Sequence, residues 1–281
     1  MDDMLQRIQA MERNSIRLHI AGPVPDTRSF TRFGGVPDVP AGFQWPVFET
    51  ATYDDDAVKC RPLAFLAQFD CGELSPYDKD GLLPKTGLLS FFYELGSQRW
   101  GFDPADAGCA RVFWFPDTAA LSPSALPDDL PEPYRLPALG IDLAAEPSWP
   151  DGEDFFALSG GQGDWDTFEE ARAMAGGDLE VGERSYLLGW PGTMQGNITV
   201  ECELVSRGIY MGGTEPIPQD ALDKARRTST QDWQMLFQLD TGQDGDFELM
   251  FGDCGRIYFY IRREDLLARR FDRVWLVLQC G

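Results

Sequence analysis

The sequence predicts an α+β, β-rich fold: an internally duplicated, mostly antiparallel sheet core with a few peripheral helices. Three observations predict it. Short apolar runs of strand length recur in both halves, at 63–69, 88–93, 112–115, 235–239, 256–261 and 274–278. Their nearly continuous apolar character fits a sheet covered on both faces. The runs also repeat in order. Leu66-Ala67-Gln68-Phe69-Asp70, Gly87-Leu88-Leu89-Ser90-Phe91-Phe92 and Arg111-Val112-Phe113-Trp114 correspond to Leu236-Phe237-Gln238-Leu239-Asp240, Gly255-Arg256-Ile257-Tyr258-Phe259-Tyr260 and Arg273-Val274-Trp275-Leu276. Upstream, Phe33-Gly34-Gly35-Val36-Pro37 matches Leu188-Gly189-Trp190-Pro191 more weakly. Each half alone has too few strands for an independent sheet, so one domain over 1–281 is expected. Its halves span 31–117 and 184–281, joined by 118–183.

The remaining elements follow along the chain. Leu5, Ile8 and Met11 predict an amphipathic helix within 2–13. Residues 15–20 alternate polar and apolar as a strand does. Gly, Pro and aromatic residues make 33–46 an ordered, irregular loop. A helix is expected over 166–175, with Asp166 as N-cap, Glu169 closing a capping box and Gly176 at the C-terminus. Another is expected near 218–227, acidic early and basic late, and a short one at 263–269.

Charge narrows the function. The 281 residues carry 24 Lys+Arg against 46 Asp+Glu, a net charge of −22. Such a surface repels nucleic acid and anionic membranes. With 43% hydrophobic residues the chain is nonetheless no disordered polyanion. Residues 117–183 hold 16 acidic and 2 basic residues, a net of −14, and read as a solvated, appended surface. The acidic start lacks a signal-peptide pattern and no run suits a bilayer. Six scattered cysteines read as free buried thiols, which points to the cytoplasm.

Catalytic and cofactor motifs are sparse. His19 is the only histidine, which removes His-rich zinc sites and paired-His catalysis. No Walker A, GxGxxG or GxSxG pattern occurs, and no cofactor is expected. Leu158-Ser159-Gly160-Gly161-Gln162 spells an ABC-type ATPase signature without the phosphate loop that it serves. The run 240–248 places Asp240, Asp244, Asp246 and Glu248 in a calcium-loop-like order, but Phe251 stands where a bidentate Glu belongs. A solvated hairpin turn is favoured there and no metal is expected; Asp54-Asp55-Asp56 reads as exposed loop.

The polar candidates are the repeated pairs Gln68/Asp70 and Gln238/Asp240, together with Gln195, Asp253 and Arg256. Alternation puts the members of each pair on one strand face. An inward face would let the amides anchor backbone near Gly34-Gly35 or Gly189, a reading favoured over ligand contact. Arg256 is expected to meet a carboxylate from the first half.

Several blocks resemble the YwqG-like family of bacterial proteins. They are Arg32-Phe33-Gly34-Gly35-Val36-Pro37, Gly42-Phe43-Gln44-Trp45-Pro46, 62–68, 82–84 with 87–93, and Leu187-Leu188-Gly189-Trp190-Pro191 with Gln195. The C-terminal blocks 233–240, 252–259 and 271–280 are the most specific. The resemblance runs from Thr31 to Gly281 and implies a compact β-rich α+β fold, with no reaction or catalytic set attached. The acidic segment matches poorly and reads as an elaboration. A non-enzymatic binding or interaction protein is therefore expected, with a basic protein as partner. The alternative is a carboxylate-based hydrolase with a cleft between the two halves.

Overall fold

The computed structural model describes residues 2–24, 31–160, 164–176, 184–244 and 247–281, excepting the side chains of 243, 244 and 247. In chain order its elements are α1 (Asp2–Gln9), β1 (Arg13–Pro23), β2 (Arg32–Phe33), β3 (Asp38–Pro40), β4 (Val47–Thr52), β5 (Asp55–Pro62), β6 (Ala64–Asp70), α2 (Cys71–Leu74), β7 (Leu88–Tyr93), β8 (Ala110–Phe115), β9 (Leu121–Pro123) and β10 (Leu139–Ser148). Then come α3 (Gly152–Ser159), α4 (Trp165–Ala175), β11 (Ser185–Leu188), α5 (Ile198–Val205), α6 (Gln219–Asp232), β12 (Trp233–Asp240), β13 (Gly242–Asp244), β14 (Phe247–Leu249), β15 (Arg256–Arg262), α7 (Arg263–Leu267) and β16 (Trp275–Gln279).

Ten strands form one antiparallel sheet in the order β16-β15-β12-β11-β1-β10-β2-β6-β7-β8. The expected β-rich α+β class is the observed one. Two bulges help to curl the sheet. β6 and β7 slip register at Leu66, and β12 and β15 slip at Leu236. The sheet nearly closes on itself. Leu278 N donates to Trp100 O at 3.0 Å, and Trp275 Nε1 donates to Gly101 O at 3.1 Å, tying β16 to the chain between β7 and β8.

The inner faces meet in one apolar core. Phe91 of β7 lies 4.8 Å from Phe237 of β12 and 5.3 Å from Phe259 of β15, ring centre to ring centre. The outer faces are covered differently. Phe65 and Phe92 lie beneath Phe43 and Trp45 of the aromatic loop. Met235, Tyr258 and Tyr260 lie beneath Ile198, Cys202 and Val205 of α5. Two-sided burial explains why these strands read as unbroken apolar runs.

Several expectations change. The acidic middle is not an appended surface: β10 lies between β1 and β2 in mid-sheet, and β9 pairs with β3. Its backbone completes the sheet while Asp142 and Glu146 remain solvent-facing or half-buried. Helix α4 is capped by Asp164, whose Oδ1 accepts from Asp166 N at 3.2 Å. The Thr167 hydroxyl bonds the other oxygen, so Asp166 is not the cap and Glu169 closes no box. Gly176 ends the helix with φ 96°, as expected. Asp55 and Asp56 belong to β5, leaving only Asp54 in the two-residue turn. Cys60 and Cys254 are exposed, so only the other four cysteines are buried thiols.

The third repeated block is offset by two residues. Phe91 faces Val112, whereas Phe259 faces Leu276, so Leu276 rather than Val274 occupies the place of Val112. A two-residue offset preserves strand parity, which is why the apolar match survived it.

Candidate functional site

The repeated glutamines face away from the shared core, yet both are fully buried. Gln68 Oε1 accepts from Asp38 N at 2.9 Å and its Nε2 donates to Asp38 Oδ2 at 2.8 Å. Gln238 Oε1 accepts from Gly192 N at 2.9 Å, and its Nε2 donates to Arg184 O. Each amide thus holds the loop that follows β2 or β11 over the sheet. Asp70 caps α2 by accepting from Gly72 N and Glu73 N. Asp240 pairs with Arg256 at 3.0 Å and accepts from Arg184 N at 2.9 Å. Arg256 therefore finds its carboxylate in its own half, on the neighbouring strand, because Arg256 and Asp240 stand opposite in the register.

The other candidates do not converge with these. Gln195 N donates to Gln279 Oε1 at 3.1 Å, and Gln279 Nε2 reaches back to Gln195 O. Exposed Asp253 accepts Gly281 N through its backbone carbonyl. Of the calcium-like run, Asp240 is occupied by Arg256; Asp246 and the Asp244 side chain lie outside the described residues, as do Gly161 and Gln162 of the ATPase-like peptide. Among the described residues no cluster of His, Cys, Asp and Glu has metal-holding geometry.

A concave site forms elsewhere. The β4–β5 hairpin stands off the main sheet and, with the chain at 94–106 and at 129–134, walls two adjoining hollows of about 480 Å³ and 330 Å³ that share Thr52. Thr52 and Asp55 flank the two-residue turn that puts Tyr53 at the tip, 73% exposed. Val58 and Tyr210 are further exposed apolar side chains, the former on β5 and the latter at the rim of the smaller hollow. Trp100, Phe102 and Tyr134 add aromatic wall.

The basic residues of this groove are already engaged. Asp55 Oδ2 meets Lys59 Nζ at 2.6 Å and Arg61 at 3.0 Å, which, with the Ala57 amide, holds its carboxyl far below the usual range. Arg61 also donates to Thr50 O, and Arg99 donates to Thr50 Oγ1 at 2.7 Å. Arg99 lies 3.8 Å from Asp106, whose carboxyl is pushed up by burial.

Glu94 is different. It is 2% exposed at the floor of the larger hollow. Its Oε1 accepts from Gly96 N at 3.0 Å and its Oε2 from Ser97 N at 2.8 Å, with the Ser97 hydroxyl as a third donor. No basic side chain among the described residues lies within ion-pair distance of it. Asp54 and Asp129 line the same hollow without ion pairs. Gly96 permits the approach: a Cβ there would sit 2.8 Å from Thr52 and 3.0 Å from Glu94 Oε1. Sequence reasoning missed Glu94; its only signal was an acid directly after the apolar run 88–93.

The domain of unknown function DUF1963 matches residues 31–280. The chain belongs to this family. The match runs through the acidic segment, which is thus no elaboration outside the family's span. No curated protein matches the chain.

Proposed function

We propose that this DUF1963 protein is a non-enzymatic interaction module that holds a basic protein segment in the groove beside the β4–β5 hairpin. One observation carries the reading: among the described residues no basic side chain lies within ion-pair distance of buried Glu94, whose hollow is also lined by Asp54, Asp129 and Tyr134, with Trp100 and Phe102 in the adjoining one. Carboxylates with aromatic rings suit an ammonium or guanidinium group, which gains both an ion pair and a cation–π contact. The net charge of −22 would steer a cationic partner toward the protein.

The hydrolase alternative has less support. The cavity between the two halves is walled by Arg13 and Arg263, with Asp80 as its carboxylate, rather than by two close acids. We also read the chain as one duplicated domain of YwqG-like type, acting in the cytoplasm. Among the described residues no helix is long and apolar enough to cross a membrane.

The test is fluorescence anisotropy with an oligo-arginine peptide, and an oligo-glutamate peptide as control. Glu94→Gln is expected to weaken binding about tenfold. Asp2→Asn, an equal charge change on distant α1, is expected to leave it within twofold, about the scatter of a surface charge effect. Equal weakening by both variants would reduce the binding to bulk charge and sink the proposal.

A further inference from the structure

The cavity between the halves brings two arginines together in an acidic protein. It measures about 310 Å³ and is lined by Arg13 and Asn14 of β1, Asp80 and Leu82 of the loop before β7, Gly189, Gln234 and Arg263. That is room for roughly ten water-sized volumes.

Arg13 is built in as a fixed cation. Its guanidinium carbon lies 3.4 Å from the Trp190 ring centre. The ring is itself held. Trp190 Nε1 donates to Met11 O at 2.7 Å, and Trp190 N donates to Ser148 Oγ, which donates on to Arg13 O. The guanidinium makes no hydrogen bond and no ion pair with any described residue. Burial and the neighbouring Arg263 charge pull its pKa down to about 10, which leaves it protonated at neutral pH. Asp154, Tyr260 and Asp80 act in the opposite direction. Burial and Asp151 hold the Asp154 carboxyl well above the usual carboxylate range, which limits the charge that it can return to Arg13.

The second cation is oriented as well. Arg263 Nη2 donates to Gln234 Oε1 at 3.2 Å. Gln234 Nε2 donates to Gly189 O and Met235 O, so the amide cannot swing away. Asp80, the carboxylate on the wall, accepts from Asn14 N at 3.3 Å instead of pairing with either arginine.

We propose that this cavity is a binding site for a small oxyanion, a carboxylate or phosphate group bridging Arg13 and Arg263. A stacked, unpartnered guanidinium beside a second one offers donors in the fork geometry that such groups fill. The anion relieves the repulsion between the two cations and satisfies donors that the protein leaves open. Both halves contribute walls, so binding braces the seam between them. The site lies apart from the groove with Glu94, and its test uses no basic peptide.

The experiment is calorimetric titration of the intact protein with inorganic phosphate and, separately, with succinate, at ionic strength held constant with sodium chloride. Thermal unfolding is followed in the same buffers. The expected result is saturable binding of at least one anion and a rise in Tm with its concentration. Arg263→Gln, at an exposed position, is expected to weaken binding about tenfold without lowering the ligand-free Tm. Arg13→Gln should do the same or more. The difference between phosphate and succinate assigns the preferred head group. Failure of both anions to bind beyond the chloride control, or unchanged binding in Arg263→Gln, overturns the proposal.

Discussion

The unit β6-β7-β8 and the unit β12-β15-β16 show what a shared backbone dictates and what it leaves open. Both carry a bulge at the same step, at Leu66 and at Leu236. Both are preceded by a strand that pairs in the same register: Arg32 faces Gln68, and Tyr186 faces Gln238. Two positive-φ residues then turn the chain, Gly34 at 58° and Gly35 at 75°, and Leu188 at 61° and Gly189 at 74°. A proline follows two residues later in each. The next amide, Asp38 N or Gly192 N, donates to the repeated glutamine. The glutamine is thus the partner that a buried loop amide requires. The charges around it differ. In the first unit Arg32 meets Asp38 at 2.9 Å within the loop strand, and in the second Arg256 meets Asp240 across the sheet.

The strongest way to break this correspondence is at the turn. A Cβ on Gly34 would fall 2.1 Å from Pro137 O, whereas Leu188 keeps the same φ with its side chain buried in the core. Gly34→Ala is expected to cost about 4 kcal/mol or more, because backbone blocks the added atom. Leu188→Ala should cost about 3 kcal/mol from lost burial alone. Urea unfolding of the two variants checks the ranking; a harmless Gly34→Ala would show that the turn can move off Pro137.

The anchors come next. Gln68→Leu strands the buried Asp38 amide and removes a donor from a carboxylate whose Oδ1 already has no hydrogen-bond partner among the described residues. A loss of about 3 kcal/mol is expected. Gln238→Leu strands a neutral amide and a carbonyl and should cost about 2 kcal/mol. Denaturant midpoints measure both. Equal losses would mean that the Asp38 charge adds nothing to the first anchor.

The core strands of both units were legible because they are buried on both faces and so keep their apolar residues together. The offset of Arg273-Val274 was not, since a slip of two preserves the same face. β10 was hidden because its acids face or approach solvent while its backbone lies mid-sheet; acidity reports side chains and says nothing of hydrogen bonding between strands. The β4–β5 hairpin is exposed along most of β5 and had no apolar run to announce it. α5 begins Ile198-Thr199-Val200, β-branched residues that weaken a helical reading, and packing overrides them. The groove with Glu94 and the recess with Arg13 draw their walls from residues far apart in the chain. Tertiary contact alone brings those residues together, and no spacing rule could have found them.

The outer covers supply the gentlest contrast. Phe43, Trp45, Phe48 and Phe113 pack over Phe65 and Phe92, whereas α5 places Glu201 in the cover of the second unit with its Oε1 lacking a hydrogen-bond partner among the described residues. Burial alone raises the Glu201 carboxyl from 4.5 to about 8. The sign follows from which state ionises first. Between about pH 4.5 and about pH 8 the unfolded chain is ionised here and the folded chain stays protonated. Its contribution to stability is therefore complete below the lower value and falls as pH rises to the upper one. Glu201→Gln removes this slope. The variant should match its parent near about pH 4 and exceed it by about 2 kcal/mol near about pH 8, a figure reduced because the residue is only half-buried. Urea unfolding at the two pH values measures the difference. If the gap between variant and parent stays constant with pH, Glu201 is ionised in the folded protein, and the helical cover tolerates charge as readily as open surface does.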